Sequence, residues 1–381
     1  MTTTFDLAVV GAGFVGLAHA HAAARLGKRV VVIDRDAQAN GASIRGYGIC
    51  LITGQPRGIT WKRARRSAEI LRGIARDAGL AAEARGLMTV ALRPEGMGLC
   101  ESFHATEMGD GCLLLSPEAT RKRLPVLAAP GLYGALWSPH ELRYDARGFI
   151  AALARWLAET QRVTFMRETH VRSVFPSRLD TSAGPVRAEA VVVCPGEDLR
   201  TLFAHRAATY RLTRCRVRMM RLSPGSRFRL APTVQSDLGL LASPGFAELP
   251  EARALAIRLQ SEKQEGGPTN LRLVVTQSAD RSLIVGDSRT IAPTPDPFMP
   301  AAPENHLLSE FDRLFALPER TVIERWTGIH VAADRPLIVD RPAERMRLVM
   351  PTGAFGASAA LVAAEEVVAE LFGAAVVNAA G

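Results

Sequence analysis

The feature that most constrains this chain lies near its start. Residues 5–34 (FDLAVVGAGFVGLAHAHAAARLGKRVVVID) read as an apolar strand at 7–10, a glycine turn and an alanine-rich helix that Gly27 can end. A second apolar strand at 30–33 follows, closed by Asp34. Within Gly11-Ala12-Gly13-Phe14-Val15-Gly16 the three glycines have separate tasks. Gly11 permits the tight turn off the strand, Gly13 lets backbone approach a pyrophosphate, and Gly16 lets the helix pack close on the sheet. The helix N-terminus then turns its N–H groups toward phosphate, where its dipole favours negative charge. Asp34 stands 23 residues after Gly11, where a carboxylate can accept from ribose hydroxyls and would repel a 2′-phosphate. Strand, glycines, helix, second strand and acid agree, and a bound dinucleotide is expected.

The remaining chain must house that ligand's chemistry. Its 381 residues suffice for two domains, and 48% hydrophobic with 22% charged residues is ordinary globular composition. The formal charge is +9, and only four of the 47 basic residues are lysines. The densest basic cluster, 62–66 (KRARR), reads as a solvated face of a helix at 59–73. No basic–aromatic stripe is present, which argues against nucleic-acid binding and leaves an RNA-acting protein as a distant alternative. The five cysteines, at 50, 100, 112, 194 and 215, lack CxxC or Cys/His ligand spacing. Reduced thiols, no metal and a reducing compartment are therefore expected. The first apolar run has no basic leader and no stretch approaches a ~20-residue span, so the expectation is a cytoplasmic protein with no membrane partner.

Glycines at 41, 46, 48 and 54 are too dense for regular structure and suggest backbone laid against something flat or charged. Short strands are expected at 87–92, 113–115 and 131–137, with a helix from Ser116-Pro117. Residues 145–160 have helical apolar spacing. The strand at 191–194 ends in Pro195-Gly196 and should return the chain to the nucleotide sheet. Further strands are expected at 214–222, 271–276 and 282–285, and a helix at 301–315. Near the end, a strand at 347–350, Pro351-Thr352-Gly353-Ala354-Phe355-Gly356 and a helix at 357–372 form a second strand–glycine–helix unit. No second GxGxxG exists, so one dinucleotide held between both ends of the chain is expected. The expected fold class is α/β: a Rossmann-type dinucleotide-binding domain from 1–85, 145–204 and 325–381. Two insertions, 86–144 and 205–324, would form a mixed antiparallel-sheet substrate domain.

These motifs resemble the D-amino-acid oxidase, glycine oxidase and sarcosine oxidase superfamily of FAD enzymes along nearly the whole chain. The resemblance rests on VVGAGFVGLAHAHAAA, Asp34-Arg35, GASIRGYG (41–48), VVVCPG (191–196), SLIVGDS (282–288), RWTGIH (325–330) and PTGAFG (351–356). GASIRGYG, ITGQPRG (52–58), RCRVRMMR (214–221), PDPF (295–298) and RWTGIH are most similar to the subfamily associated with phosphonate breakdown. The resemblance implies that the Rossmann-type domain is an FAD-binding domain (GR2-like). It implies that Gly11, Ala12, Gly13, Phe14, Val15 and Gly16 hold the FAD pyrophosphate, Asp34 the ribose, and Arg35 the adenine edge. It implies phosphate contact for Ala42 and Ser43, a flavin contact for Tyr47, Gly48 and Ile49, and an adenine contact for Val171. Gly196 ends the adjoining strand. Gly353, Ala354, Phe355, Gly356, Ala357 and Ser358 would bring N–H groups to the flavin edge that gains negative charge on reduction. No cysteine falls in the 325–336 region where relatives link flavin covalently, so non-covalent FAD is expected.

The implied reaction is oxidation of the C–N bond of a small amine bearing an acidic group, such as 2-aminoethylphosphonate or its N-methyl or hydroxy derivative. Hydride would pass to flavin, and electrons to O2 or another acceptor. Another amino acid, a secondary amine of glycine or sarcosine type, or a biosynthetic amine is the alternative. His330 is the candidate for catalysis and substrate contact, as the chain departs from the subfamily there and at Tyr47 and Arg289. Arg45, Arg289 and Arg335 could grip the acidic group, with Gln55 and Tyr47 adding polar contacts. A homo-oligomer remains open.

Overall fold

The structure, a computed structural model, describes residues 4–374 apart from 226, 263–269, 316, 318, 354 and 355. Ala354 and Phe355, expected at the flavin edge, lie outside the described residues. Among the described residues the chain builds two eight-stranded sheets and a small three-stranded one.

The first sheet is nucleated by the fingerprint. Thr4–Val10 pairs parallel with Val30–Ile33 on one side and with Gly184–Val193 on the other. Thr164–Met166 extends it beyond Val30–Ile33, and Met346–Pro351 lies parallel to the end of Gly184–Val193. The return of the chain at 191–194 and at 347–350 therefore occurs where the sequence places it. These central strands are apolar on both faces because both faces are covered: helices pack on one, and the strand residues Val171, Leu179 and Ile338 with Leu199, Leu202 and Leu212 pack on the other. Phe14–Arg25 packs against the C-terminal helix Gly356–Phe372, which in turn packs on Ile59–Asp77. Leu17, Ala20, Leu71, Leu361, Ala364 and Val368 are buried in one core with Leu7 and Val9. Ala146–Glu159 joins that core through Phe149, Ile150 and Leu153, starting where the Asp145 side chain accepts from Arg147 N. At Pro117–Arg123 the Ser116 Oγ accepts from Ala119 N, so the Ser-Pro helix start is also realised.

The second sheet runs Thr321–Ala332, Thr213–Ser223, Leu283–Ala292, Leu271–Gln277, Thr233–Ser236, Leu87–Ala91, Gly134–Ser138, Leu113–Leu115. One pairing, Thr233–Ser236 with Leu87–Ala91, is parallel and the others are antiparallel. A boundary changes here. Residues from 325 onward, expected with the nucleotide sheet, begin in the second sheet. The whole strand Thr321–Ala332 forms one ladder with Thr213–Ser223, from Thr213↔Ala332 to Ser223↔Thr321. The chain crosses to the first sheet after Ala332, at Leu337–Ala343. His330 is thus delivered by the second sheet.

The glycine-dense stretch holds one helical turn, Ala42–Arg45, and a two-residue strand, Ile49–Cys50. The basic face of Ile59–Asp77 is largely neutralised: Arg63 pairs with Glu366, Arg65 with Asp110 and Arg66 with Glu69. No described helix is long and apolar enough to cross a membrane.

Candidate active site

A cavity of about 550 Å³ runs between the two sheets. At one end lie Asp34, Arg35, His170 and Val171; at the other lie Arg272, Asp287, Arg289 and His330.

The nucleotide end is set by backbone. Gly11 has φ +101°, a conformation suited to glycine, and a side-chain carbon there would overlap the Cys194 carbonyl. A side-chain carbon on Gly16 would overlap the Gly11 carbonyl, so the helix rests directly on the turn. Gly11, Gly13, Phe14, Val15 and Gly16 line the cavity. Ala12 does not. Its N–H donates to Asp34 Oδ2 at 2.5 Å, and Asp36 N donates to Oδ1 at 2.9 Å. The acid is thereby held at the cavity wall by the loop it follows. Ser43 Oγ accepts from Phe14 N at 2.9 Å, placing a hydroxyl and the helix N-terminus side by side. Arg35, also at the wall, pairs with Asp198 at 3.0 Å. Ala42, Gly48, Ile49 and Gly196 line the cavity as well.

The two chain ends meet at its middle. Gly353, Gly356 and Ala357 line it, and Gly353 N donates to Val331 O at 2.7 Å, tying the C-terminal turn to the His330 strand. Ser358 does not reach the wall. It is buried as the third residue of the helix, where its Oγ donates to Leu51 O at 2.6 Å. Gln55 is likewise displaced from its expected role. It is buried, its Nε2 donates to Leu51 O at 2.8 Å, and it does not line the cavity.

At the far end the alternation of the second sheet puts Val217 and Met219, Asp287 and Arg289, and His330 on the cavity face. Arg289 is committed to Asp287 through Nε at 2.7 Å and Nη2 at 3.2 Å. Tyr47 OH donates to the same carboxylate at 3.1 Å. Burial alone would raise the Asp287 carboxyl, but Arg289 and Arg272 outweigh it and hold it below the usual range. Burial, then Asp287, pushes the Tyr47 phenol well up, so it stays a donor. Burial, then Arg289, lowers His330 to about 4, so its imidazole is neutral near pH 7. Arg45 lines the cavity, but its Nη1 donates to Thr327 O and its Nη2 to Asn40 Oδ1. Trp326 Nε1 donates to Arg45 O at 2.9 Å, so this arginine clamps the glycine-dense loop to the second sheet. Arg335 does not line the cavity.

Of the charged residues on the far wall, two were missed in the sequence, Arg272 and Asp287. Asp287 lay within SLIVGDS, a motif noted for resemblance alone. Arg272 is one of many arginines, and nothing in its strand sequence separates it from the rest.

The fold and site define a two-sheet α/β protein with a dinucleotide cavity closed by both ends of the chain. A family model described as FAD dependent oxidoreductase (DAO) matches residues 6–371, and the chain belongs to that family. Glycine oxidase from Geobacillus kaustophilus superposes with a TM-score of 0.78 at 19% identity, covering 99% of this chain and 96% of that one. L-proline dehydrogenase from P. horikoshii gives 0.77 at 18%, covering 97% and 93%. L-alpha-glycerophosphate oxidase from Mycoplasma pneumoniae with FAD bound gives 0.75 at 15%, covering 97% and 95%. At these identities the likeness is one of fold. No curated protein sequence matched. The enzyme is an FAD-dependent oxidoreductase. The glycine cradle, the held Asp34 and a cavity lined from Asp34 to Gly353 fit a dinucleotide of this kind.

Proposed function

We propose that this enzyme oxidises the C–N bond of a small amine bearing an acidic group. An aminophosphonate, 2-aminoethylphosphonate or its N-methyl or hydroxy derivative, is the substrate class that the subfamily resemblance favours. The observation behind the reading is the far wall of the cavity. It sets a neutral His330 beside two guanidiniums, Arg272 and Arg289, and one carboxylate, Asp287. Bound FAD would supply the two-electron acceptance that removes hydride from the carbon bearing nitrogen.

The residues of the chain prepare the substrate. The excess positive charge on the wall opposes a bound ammonium and favours the free amine, the form whose C–H gives up hydride. The neutral imidazole can hydrogen-bond that amine without adding charge. Val217 and Met219 form an apolar flank that excludes water. Non-covalent FAD fits the thiols nearby: burial pushes Cys215 up to about 11 and Cys194 higher still, leaving both protonated and poorly nucleophilic.

The test is flavin bleaching without oxygen. Protein loaded with FAD is mixed with 2-aminoethylphosphonate, its N-methyl and hydroxy forms, glycine, sarcosine and D-amino acids. Bleaching by the aminophosphonates is expected; bleaching by amino acids alone would favour the glycine- or sarcosine-like alternative. A flavin that no amine reduces would sink the proposal. Peroxide release on admitting air distinguishes O2 from another acceptor.

A further inference from the structure

Arg272 is 4% exposed, lines the cavity, and makes no hydrogen bond or ion pair to any described residue. Its Nε is buried without a partner. Its guanidinium lies over the Tyr47 ring, 5.8 Å from the centroid. A buried cation in this condition is costly unless something brings it an anion. The arginines nearest to it in burial, Arg93 and Arg347, have carboxylates: Arg93 meets Asp237 and Glu310, and Arg347 meets Glu370. Arg143 and Arg216, slightly more exposed, have only long hydroxyl contacts, to Ser278 and Thr290. The neighbouring arginines are occupied as well. Arg289 spends its guanidinium on Asp287, and Arg45 spends its own on Thr327 O and Asn40. With Asp287 answering one of two guanidiniums and His330 neutral, a single negative charge completes the wall.

We infer that Arg272 is the receptor for the acidic group of the substrate, an oxyanion of carboxylate or phosphonate type joined to the amine. This rests on the proposed amine oxidation for the identity of the ligand, but not for the anion site itself. A planar guanidinium suits such a group because two parallel N–H donors match two oxygens. The Tyr47 ring forms the floor beneath it, and Tyr47 is itself fixed by its bond to Asp287. Arg272 thereby sets specificity, while Asp287 and Arg289 position the floor.

The test uses acetate and methylphosphonate, which carry the anion without an oxidisable amine. Each is titrated into the FAD-loaded enzyme while the visible flavin spectrum is followed. The wild type should show a saturable perturbation with at least one of them. Arg272→Met should weaken it by about tenfold or more while FAD content is unchanged. Arg272→Lys, which keeps the charge but loses the fork, should fall between them and serves as the readout if the methionine variant does not retain FAD. With substrate, the same variants should raise KM far more than they lower kcat. Unaltered anion affinity in both variants, or no response of the wild type to either anion, overturns the inference. Lost anion binding in a protein whose flavin no amine reduces would leave the receptor standing and remove the amine reaction. Amine reduction with anion affinity unchanged in the variants would do the reverse.

Discussion

The Tyr47 hydroxyl donates to Asp287 Oδ2 at 3.1 Å, joining residues 240 positions apart. It connects the glycine-dense loop of the nucleotide end to a strand of the second sheet. Asp287 is 2% exposed and accepts from Arg289 on its other side. Tyr47→Phe removes one donor from a buried carboxylate and frees the ring that lies under Arg272. Steady-state kinetics should show kcat/KM lower by roughly tenfold, in line with about 1–2 kcal/mol for such a bond, at unchanged FAD content. An unaltered kcat/KM would remove Tyr47 from the site.

His330 should act in turnover and not in cofactor retention. Burial and Arg289 lower it to about 4, so it is neutral throughout the range in which an ordinary histidine titrates. His330→Ala is expected to lower kcat by roughly 10- to 100-fold with the flavin spectrum intact. The wild-type pH–rate profile should also lack an inflection near about 6.5, the usual histidine value; activity should rise with pH instead as the amine loses its proton. An inflection there that vanishes in His330→Ala would show that this imidazole charges during turnover.

How much of this could be read from the chain divides along a physical line. The fingerprint, Asp34 and the terminal glycine unit were legible because local backbone demands choose their residues: Gly11 needs a positive φ and Gly16 must carry no side chain. The wall that faces the substrate was partly hidden. Tyr47, Arg289 and His330 stood out through resemblance, whereas Arg272 is defined by what it lacks in three dimensions. Ser358 and Gln55 failed for the opposite reason. Their polar groups answer the Leu51 carbonyl inside the core, a need invisible in sequence. Residues 325–332 were expected with the nucleotide sheet but pair with Thr213–Ser223 in the second, because a strand's sequence specifies its buried face and not its partner.

Gly16→Ala tests the cradle. The added carbon would overlap the Gly11 carbonyl and lie 3.3 Å from Val9 Cγ1. Backbone cannot swing aside as a side chain can, so the helix must lift from the turn. A loss on the order of 2–4 kcal/mol and weakened FAD retention are expected, read by thermal melting and by flavin release on gel filtration. Gly27→Ala is the control, as nothing lies within 4 Å of a carbon added there; its strain is that of a positive φ alone.

Away from the cavity, Arg93 holds the second sheet to its covering helices. It is 3% exposed and meets Asp237 at 2.5 Å, Glu310 at 3.2 Å and Glu262 at 2.7 Å. Arg93→Met leaves Asp237 buried without its cation and Glu310 with only the exposed Arg313. Destabilisation of about 3–5 kcal/mol is expected, measured by denaturant unfolding. A loss below ~1 kcal/mol would mean the cluster relaxes or protonates freely.

The acid limit of stability should come in part from the first helix. His19 is 0% exposed, its Nδ1 donates to Val15 O at 2.8 Å, and its Nε2 has no partner. Burial lowers it to about 4. The unfolded chain takes up this proton near about 6.5, while the folded chain refuses it until about 4. The contribution is therefore complete above the unfolded value and is lost as pH falls toward the folded one, roughly 3 kcal/mol over that window. His21, buried on the same helix and also lowered to about 4 by burial and then Arg25, acts in the same sense. His19→Leu removes one titration at the cost of one helix-internal bond. The fall in Tm between about pH 6.5 and about pH 4 should become shallower in the variant. Parallel curves for variant and wild type would show that His19 does not titrate against folding.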